Sequence, residues 1–339
     1  MDAEEFLAVR DLLRSFVTRF RAGPGAPDAK ARAAARQTLD DLGLAELRRS
    51  TPPAATAQEC ALLAEEYGRQ PMTTSFVGTA LLAPELLRLL GDTALPDCAA
   101  PTIALAEDLR FPDADPSGAL AAWDCDGADA ALCVAADGTV TVLELGPAAP
   151  TADLGRAVRR IPKDSPAQGL GRLGASQYAR WRAFALIMVS SELLGAARSL
   201  LDQSVEYARE RRQYGREIGS FQAVQHLLAD ATVLVEACTS ATRYAAWCLD
   251  EQQPAQALKA ARVAKAETNT SAPEVVRAAM QVFGGIAQTW EFPAHLYLRR
   301  ILVGSLTLAT TPELLASLAG AGAGAGADAD ADANAEVAA

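Results

Sequence analysis

The stretch RERRQYGREIGSFQAVQH, residues 209–226, sets four arginines, a tyrosine and three glutamines around two glycines, between two long segments of helical periodicity. Gly215 and Gly219 end one helix and release the next, and Ser220 is placed to cap the second helix at its amino terminus. From Phe221 onward, Val224, Leu228, Ala231, Val235, Cys238, Thr242, Ala245 and Leu249 recur at alternating steps of three and four, which makes one continuous apolar seam. Small residues within it (Ala231, Cys238, Ala245) let a neighbouring helix come close, a pattern that suits a four-helix bundle and a subunit interface equally.

Upstream, Phe6, Val9, Leu12, Leu13, Phe16 and Phe20 mark a first amphipathic helix. ARQTLDDLGLAEL reads as a helix closed near Gly43, ECALLAEEYGRQP as one stopped by Gly68 and Pro71, and TALLAPELLRLLG as one ending at Gly91, so residues 1–100 are expected to be all-α. Over 101–172 prolines interrupt the helical pattern. ALCVAADGTVTVLEL there holds two β-branched runs around Asp137-Gly138, a pair suited to a tight hairpin turn. Helical periodicity returns from Ala175, and AFALIMV at 183–189 reads as a helix core segment. The expected organisation is mostly α with a small β unit: an amino-terminal α unit (1–100), a short middle β unit (101–172), a helical bundle (173–318) and a disordered Ala/Gly/Asp tail (319–339).

Composition excludes several classes. With 42 Asp plus Glu against 31 Lys plus Arg, the net charge of −11 disfavours nucleic acid and anionic membranes as partners. No apolar run approaches the length of a membrane span, and the first residues carry acids where a signal peptide carries bases, which points to the cytoplasm. Six cysteines without a CxxC pair and two histidines leave little material for a zinc site, and the thiols read as reduced. GLGRLG at 169–174 has the spacing of a dinucleotide fingerprint, but KDSPAQ before it cannot be a buried strand, so it reads as a glycine-containing linker.

In the opening stretch, Arg211 offers a planar fork for paired phosphate oxygens, Tyr214 a ring and a hydroxyl, and Gln222 a place in the first turn of a helix whose free N–H groups favour an anion. The plainer reading is a charged loop whose arginines pair with Glu206, Glu210 and Glu217. A second cluster, QVFGGIAQTWEFPAHLYLRR at 281–300, places Gln281 before the adjacent Gly284 and Gly285, where another backbone or a ligand can come close. An ordinary helix C-cap at Gly284 explains it as well.

Together RRQYGREIGSFQ and QVFGGIAQTWEFP resemble the two carboxyl-terminal signatures of the acyl-CoA dehydrogenase family, R-x-x-F-G-x-x-I-G-x-F-Q and Q-x-x-G-G-x-G-x-x-x-E-x-P, with Ala287 in place of the last glycine of the second. LDDLGLAEL and ALLAEEYGRQP resemble amino-terminal helices of the same family. The resemblance implies an α-domain, a reduced β-domain and an α-bundle, with FAD held extended across a subunit contact. It implies that Arg211, Tyr214 and Gln222 contact the diphosphate and adenine half of one FAD, while Gln281, Gly284 and Gly285 meet FAD bound mainly by a neighbouring chain.

The reaction it implies removes two hydrogens across Cα–Cβ of an acyl thioester, with a glutamate taking the α-proton. That glutamate is expected near Leu308 or near Ala185, and neither position is acidic. Glu291 reads as a helix-start residue; Glu313 lies in TTPELL, another helix start. Glu192 lies two turns from Ala185 on nearly the same face, about 10 Å along the axis. PTIALAEDLRFPDAD keeps only an Ala-Glu remnant of the family's flavin-embracing strand. The expectation is a subunit without a catalytic residue of its own, paired in an α2β2 heterotetramer with a paralogous acyl-CoA dehydrogenase subunit, its seam packed on that partner. The alternatives are a self-sufficient enzyme using Glu313 or Glu192, and a flavin-free scaffold.

Overall fold

The structure is a computed structural model that describes residues 2–23, 29–91, 95, 100–113 and 118–320. The expected tail from 321 onward lies outside the described residues, as do Cys98 and Pro116.

Helix α1 (Ala3–Arg19) starts at a capping box in which Asp2 accepts from the amides of Glu4 and Glu5 and Glu5 accepts from the amide of Asp2. Phe6, Leu13, Phe16 and Val17 are buried, whereas Leu12 points to solvent. Helix α2 (Ala29–Asp41) stops ahead of Gly43, whose φ of +65° turns the chain into a separate 3₁₀ segment, Leu44–Arg48. Helix α3 (Ala57–Gly68) is capped reciprocally by Thr56 and Glu59. A wider π turn, Val77–Leu82, runs into α4 (Ala83–Leu90), which ends at left-handed Gly91.

Six strands follow: β1 (Pro101–Ala106), β2 (Leu120–Trp123), β3 (Ala130–Val134), β4 (Thr139–Glu144), β5 (Val158–Ile161) and β6 (Ala167–Arg172). They form one sheet in the order β5-β2-β1-β3-β4-β6, antiparallel except for the β1–β3 pair. Period-two alternation gives the sheet two faces. Ile103, Leu105, Leu132, Val140 and Val142 join the main core with the helices, while Ala104, Ala122, Cys133, Leu143 and Ile161 form a small second core. Asp137-Gly138 makes the expected β3–β4 hairpin, with Gly138 at φ +88°. GLGRLG is not a linker. Its first residues lie in β6, an exposed edge strand whose partner β4 supplies the hydrogen bonds, so it needs no apolar alternation.

The bundle comprises α5 (Ala175–Glu210), α6 (Gln222–Glu251), α7 (Pro254–Phe283) and α8 (Ala294–Gly304), closed by a helix over 311–320. By length and composition α5 is apolar enough to cross a membrane, but its apolar 18-residue stretch is 94% buried inside the molecule, so it is the core helix of the bundle. It packs against α3, α6, α7 and α8. Where α3 crosses α5, a Cβ on Gly68 would lie 2.1 Å from the carbonyl oxygen of Glu192, and one on Gly195 would lie 2.0 Å from that of Glu65. These glycines let the two backbones touch.

The α6 seam is buried from Ala231 to Leu249 and half-buried at its start. It faces α5, α7 and α3 of its own chain rather than a partner, which corrects one expectation. The physical reason is packing within the chain: α5, α7 and α3 cover the stripe from Ala231 to Leu249.

A buried ion network joins sheet and helices. Arg156 reaches Asp124 at 2.8 Å and Glu192 at 2.6 Å, and Arg300 reaches Asp153 and Glu192. Burial works against the charge on Arg156, but Asp124, Glu192 and Asp153 outweigh it and hold its pKa above the ordinary range. Asp124 also accepts from the amides of Phe76 and Gly78 at the start of the π turn.

Candidate functional site

The main chain turns out of α5 at Arg211, which is extended, and forms a minimal hairpin between β7 (Arg212–Gln213) and β8 (Arg216–Glu217). Its two-residue turn puts Tyr214 at φ +52° and Gly215 at φ +79°, the pairing that suits the twist of a tight hairpin. Tyr214 stands 94% exposed at the tip. Gly219 lets the hairpin lie on α5, since a Cβ there would come within 2.9 Å of the Ala208 carbonyl. Ser220 does not cap α6: its hydroxyl donates to Glu217, and the cap position falls to Phe221. Gln222 is the first residue of α6, as expected.

The charged-loop reading accounts for part of this stretch. Arg209 bonds Glu206 at 2.6 Å, Arg212 bonds Glu217 at 3.1 Å, and Arg216 lies over the ring of Phe221 at 4.1 Å. Arg211 is exposed, and its guanidinium has no hydrogen-bond or ion-pair partner among the described residues. Gln222 is exposed too, with a single 3.5 Å approach to His226.

At the end of α7, Gln281 is exposed, and Gly284 closes the helix at φ +67°, a conformation that side chains resist. Gly285 differs. Its φ is not positive and a Cβ on it would meet nothing within 4 Å, so this chain's own fold does not require a glycine there. The rings of Tyr207 and Phe283, 5.2 Å apart, join the ends of α5 and α7. Both sequence clusters therefore lie at one end of the bundle, with Arg211, Tyr214, Gln222, Gln281, Gly284 and Gly285 all open to a large ligand or a second chain.

The two positions expected for a base lie elsewhere. Ala185 is fully buried in α5. Leu308 is 1% exposed and left-handed at φ +71°, in a turn over 304–309 that leads out of α8. Its amide donates to the Leu109 carbonyl at 2.8 Å and its carbonyl accepts from the Phe111 amide at 3.2 Å, so the turn is zipped to the chain that leaves β1. Phe111 meets Trp181 edge-on at 5.6 Å, and Arg182 covers Phe111 at 4.6 Å. Phe111 thus ties the chain that leaves β1 to α5.

None of the substitute carboxylates is poised as a base. Glu192 is 1% exposed and is held by Arg156 and Arg300. Glu313 accepts from the Thr310 amide at 2.8 Å and from Arg110 at 2.6 Å; these bonds, the Thr310 amide first, hold its pKa below the ordinary range. It is a helix-start residue, as its sequence suggested. Glu291 is exposed and caps nothing: α8 begins at Ala294 behind Pro293, and no hydrogen bond from its side chain occurs among the described residues. Sequence reading missed Arg156 and Arg300, and also Lys265 and Asn269. The latter pair stands four residues apart on a mostly apolar helix face, and that spacing was the signal available.

The family profile "Acyl-CoA dehydrogenase, C-terminal domain" matches residues 183–308. The acyl-CoA dehydrogenase FadE34 of Mycobacterium tuberculosis is 41% identical over 116 residues, 34% of this chain and 16% of that protein, so the matched stretch spans about a sixth of its length. The acyl-CoA dehydrogenase IpdE2 of Mycolicibacterium smegmatis is 29% identical over 252 residues, 71% of each chain. Among solved structures, the ChsE4-ChsE5 complex from Mycobacterium tuberculosis shares the fold, with a TM-score of 0.74 and 18% identity over 94% of this chain and 97% of that one.

Proposed function

Because the chain belongs to the acyl-CoA dehydrogenase family, whose members are FAD-dependent flavoproteins, we propose that it is the non-catalytic subunit of a heteromeric acyl-CoA dehydrogenase. In this reading a paralogous partner supplies the catalytic glutamate and most of the flavin and thioester pocket in an α2β2 assembly, located in the cytoplasm. The observation that carries it is at Leu308 and Ala185. Both expected base positions are apolar and buried, and the turn bearing Leu308 is hydrogen-bonded shut against the end of β1. Neither position offers a carboxylate that could take a proton from a thioester. ChsE4-ChsE5, which has the same fold, is itself a complex, and this supports pairing as an arrangement open to the chain.

The residues at the bundle end fit FAD. Arg211 has a guanidinium without a partner among the described residues and suited to a diphosphate, Gln222 sits among the free N–H groups that begin α6, and a Cβ on Gly285 would meet none of the described residues within 4 Å. When bound, FAD would accept the hydride that leaves Cβ as a base takes the α-proton. In that chemistry Arg211 would neutralise and fix the diphosphate, Tyr214 and Gln222 would border it, and Gln281 with Gly284 and Gly285 would contact a cofactor held mainly by the neighbouring chain.

Purification alone and after co-expression with a paralogous dehydrogenase subunit tests the proposal. The chain alone should not reduce flavin with an acyl-CoA, whereas the co-purified assembly should be yellow and bleach on adding substrate. A yellow homomer whose flavin is reduced by acyl-CoA would overturn it in favour of a self-sufficient enzyme. A colourless assembly at every partner ratio would leave only a flavin-free scaffold.

A further inference from the structure

Lys265 lies in the middle of α7 between Ala264 and Ala266, and none of it reaches solvent. Its Nζ donates to Oδ1 of Asn269, one helical turn on, and to the carbonyl of Gly304 at 2.9 Å. Asn269 in turn donates through Nδ2 to the carbonyl of Ala309 at 3.1 Å. These two side chains hold the 304–309 turn at both ends from the α7 side, while Leu109 and Phe111 hold Leu308 from the β1 side.

Every acceptor in this arrangement is neutral, and the charged groups on the helices packed around it are engaged elsewhere. Glu192 of α5 and Arg300 of α8 belong to the buried ion network, and Glu236 of α6 pairs with Arg198. Glu267 of α7 accepts from Ser271, Arg182 of α5 covers Phe111, and Arg262, one turn before Lys265, lies near Arg182 rather than near an acid. Past the turn, Glu313 is bonded to Thr310 and Arg110. Cys238 of α6 is a buried thiol kept protonated by burial, its pKa pushed up to about 11.

A neutral amine has two N–H groups and finds two acceptors here; an ammonium has three N–H groups and a charge that no acid among the described residues offsets. Burial pushes the lysine pKa down to about 7, so both forms are within reach near neutrality. Lys265 and Asn269 belong to a long helix, and the carbonyls they hold, Gly304 and Ala309, bound a short turn. That turn follows α8.

We propose that Lys265 is a protonation-sensitive clasp: as the neutral amine it holds the 304–309 turn closed over the end of β1, and taking up a proton from solvent loosens that turn. The clasp acts on the chain's own closure, whichever subunits surround it.

Hydrogen exchange on the full chain, in whatever assembly it is purified, reads the clasp directly through the amides of Leu308 and Phe111. Protection corrected for intrinsic exchange should fall by about tenfold from about pH 8.5 to about pH 6, because one pH unit below the folded value shifts the population tenfold. Lys265→Met, which keeps the linear stem, should show no such difference. Carbon-13 labelling of the lysine Cε in the unaltered protein gives a second reading, independent of the variant's folding, and should show one lysine titrating near neutrality. Protection of Leu308 and Phe111 that is independent of pH, the same pH response in Lys265→Met, or no lysine titrating below its ordinary range would each overturn the proposal.

Discussion

Arg211 and Glu192 both stand out in the sequence as charges near the helix that precedes the Gly215 turn, and their surroundings give them opposite roles. Arg211 touches no partner among the described residues, so Arg211→Ala should change unfolding free energy by no more than about 0.5 kcal/mol. The same variant should lower the flavin bound per assembly, measured by absorbance after co-purification. Glu192 is a hub for two arginines at 1% exposure, and Glu192→Gln leaves Arg156 and Arg300 short of negative charge in the core. That variant should lose about 3–5 kcal/mol in denaturant unfolding. Glu313→Gln weakens one helix cap and an exposed pair, and should lose about 1 kcal/mol. If Glu192→Gln were stable but abolished flavin reduction, the residue would be a base after all. Sequence could nominate these charges but could not separate them, because pairing depends on residues such as Arg156 and Arg300, distant in the chain.

At the scale of elements, periodicity carried most of the information. The α6 seam was legible because a helix that buries one stripe repeats it every three or four residues, and the structure buries that stripe from Ala231 on. What covers the stripe was not legible, since a seam reads the same whether its neighbour is in the chain or in another. The β6 strand was missed for a related reason: an exposed edge strand containing Gly169 and Gly171 has no alternation to read. The α3–α5 crossing could not be read either, because Gly68 and Gly195 look like ordinary helix glycines. Filling that crossing is a sharp test of it. Gly195→Ala should cost at least about 1–3 kcal/mol, since the added carbon meets the Glu65 backbone rather than a side chain that can move. Gly215→Ala meets no neighbour, and should cost only the roughly 1–2 kcal/mol of a left-handed alanine.

For the whole molecule, buried titratable groups set how stability follows pH. Lys265 keeps its proton less well folded, at about 7, than unfolded, at about 10.4, so unfolding takes up a proton between those values and stability rises with pH there. Burial acts oppositely on thiols. Cys60 and Cys125, pushed up to about 12 from 9.0, stay protonated in the fold after the unfolded thiols ionise, so stability falls with pH above about 9. Unfolding free energy from denaturant titrations should therefore rise by up to about 1.4 kcal/mol per pH unit from neutrality to about pH 8.5 and then turn down. Lys265→Met should keep the downturn and lose the rise. The division into helical, sheet and helical parts was visible from proline placement and periodicity, and the signature stretches marked the family. The ion network and the lysine clasp were not visible, since each is made by residues that only the fold brings together.

The uninterrupted run of α5 also sets two of these positions far apart. Ala185 and Arg211 stand on one long helix 26 positions apart, which at 1.5 Å per residue is about 39 Å. On the proposed reading, a cofactor gripped by Arg211 would have its redox-active end in a cradle supplied by the partner. If that cradle belongs to the other polypeptide, a complete α2β2 particle should hold two flavins, not four, and a count of bound dinucleotide against protein mass would reveal it.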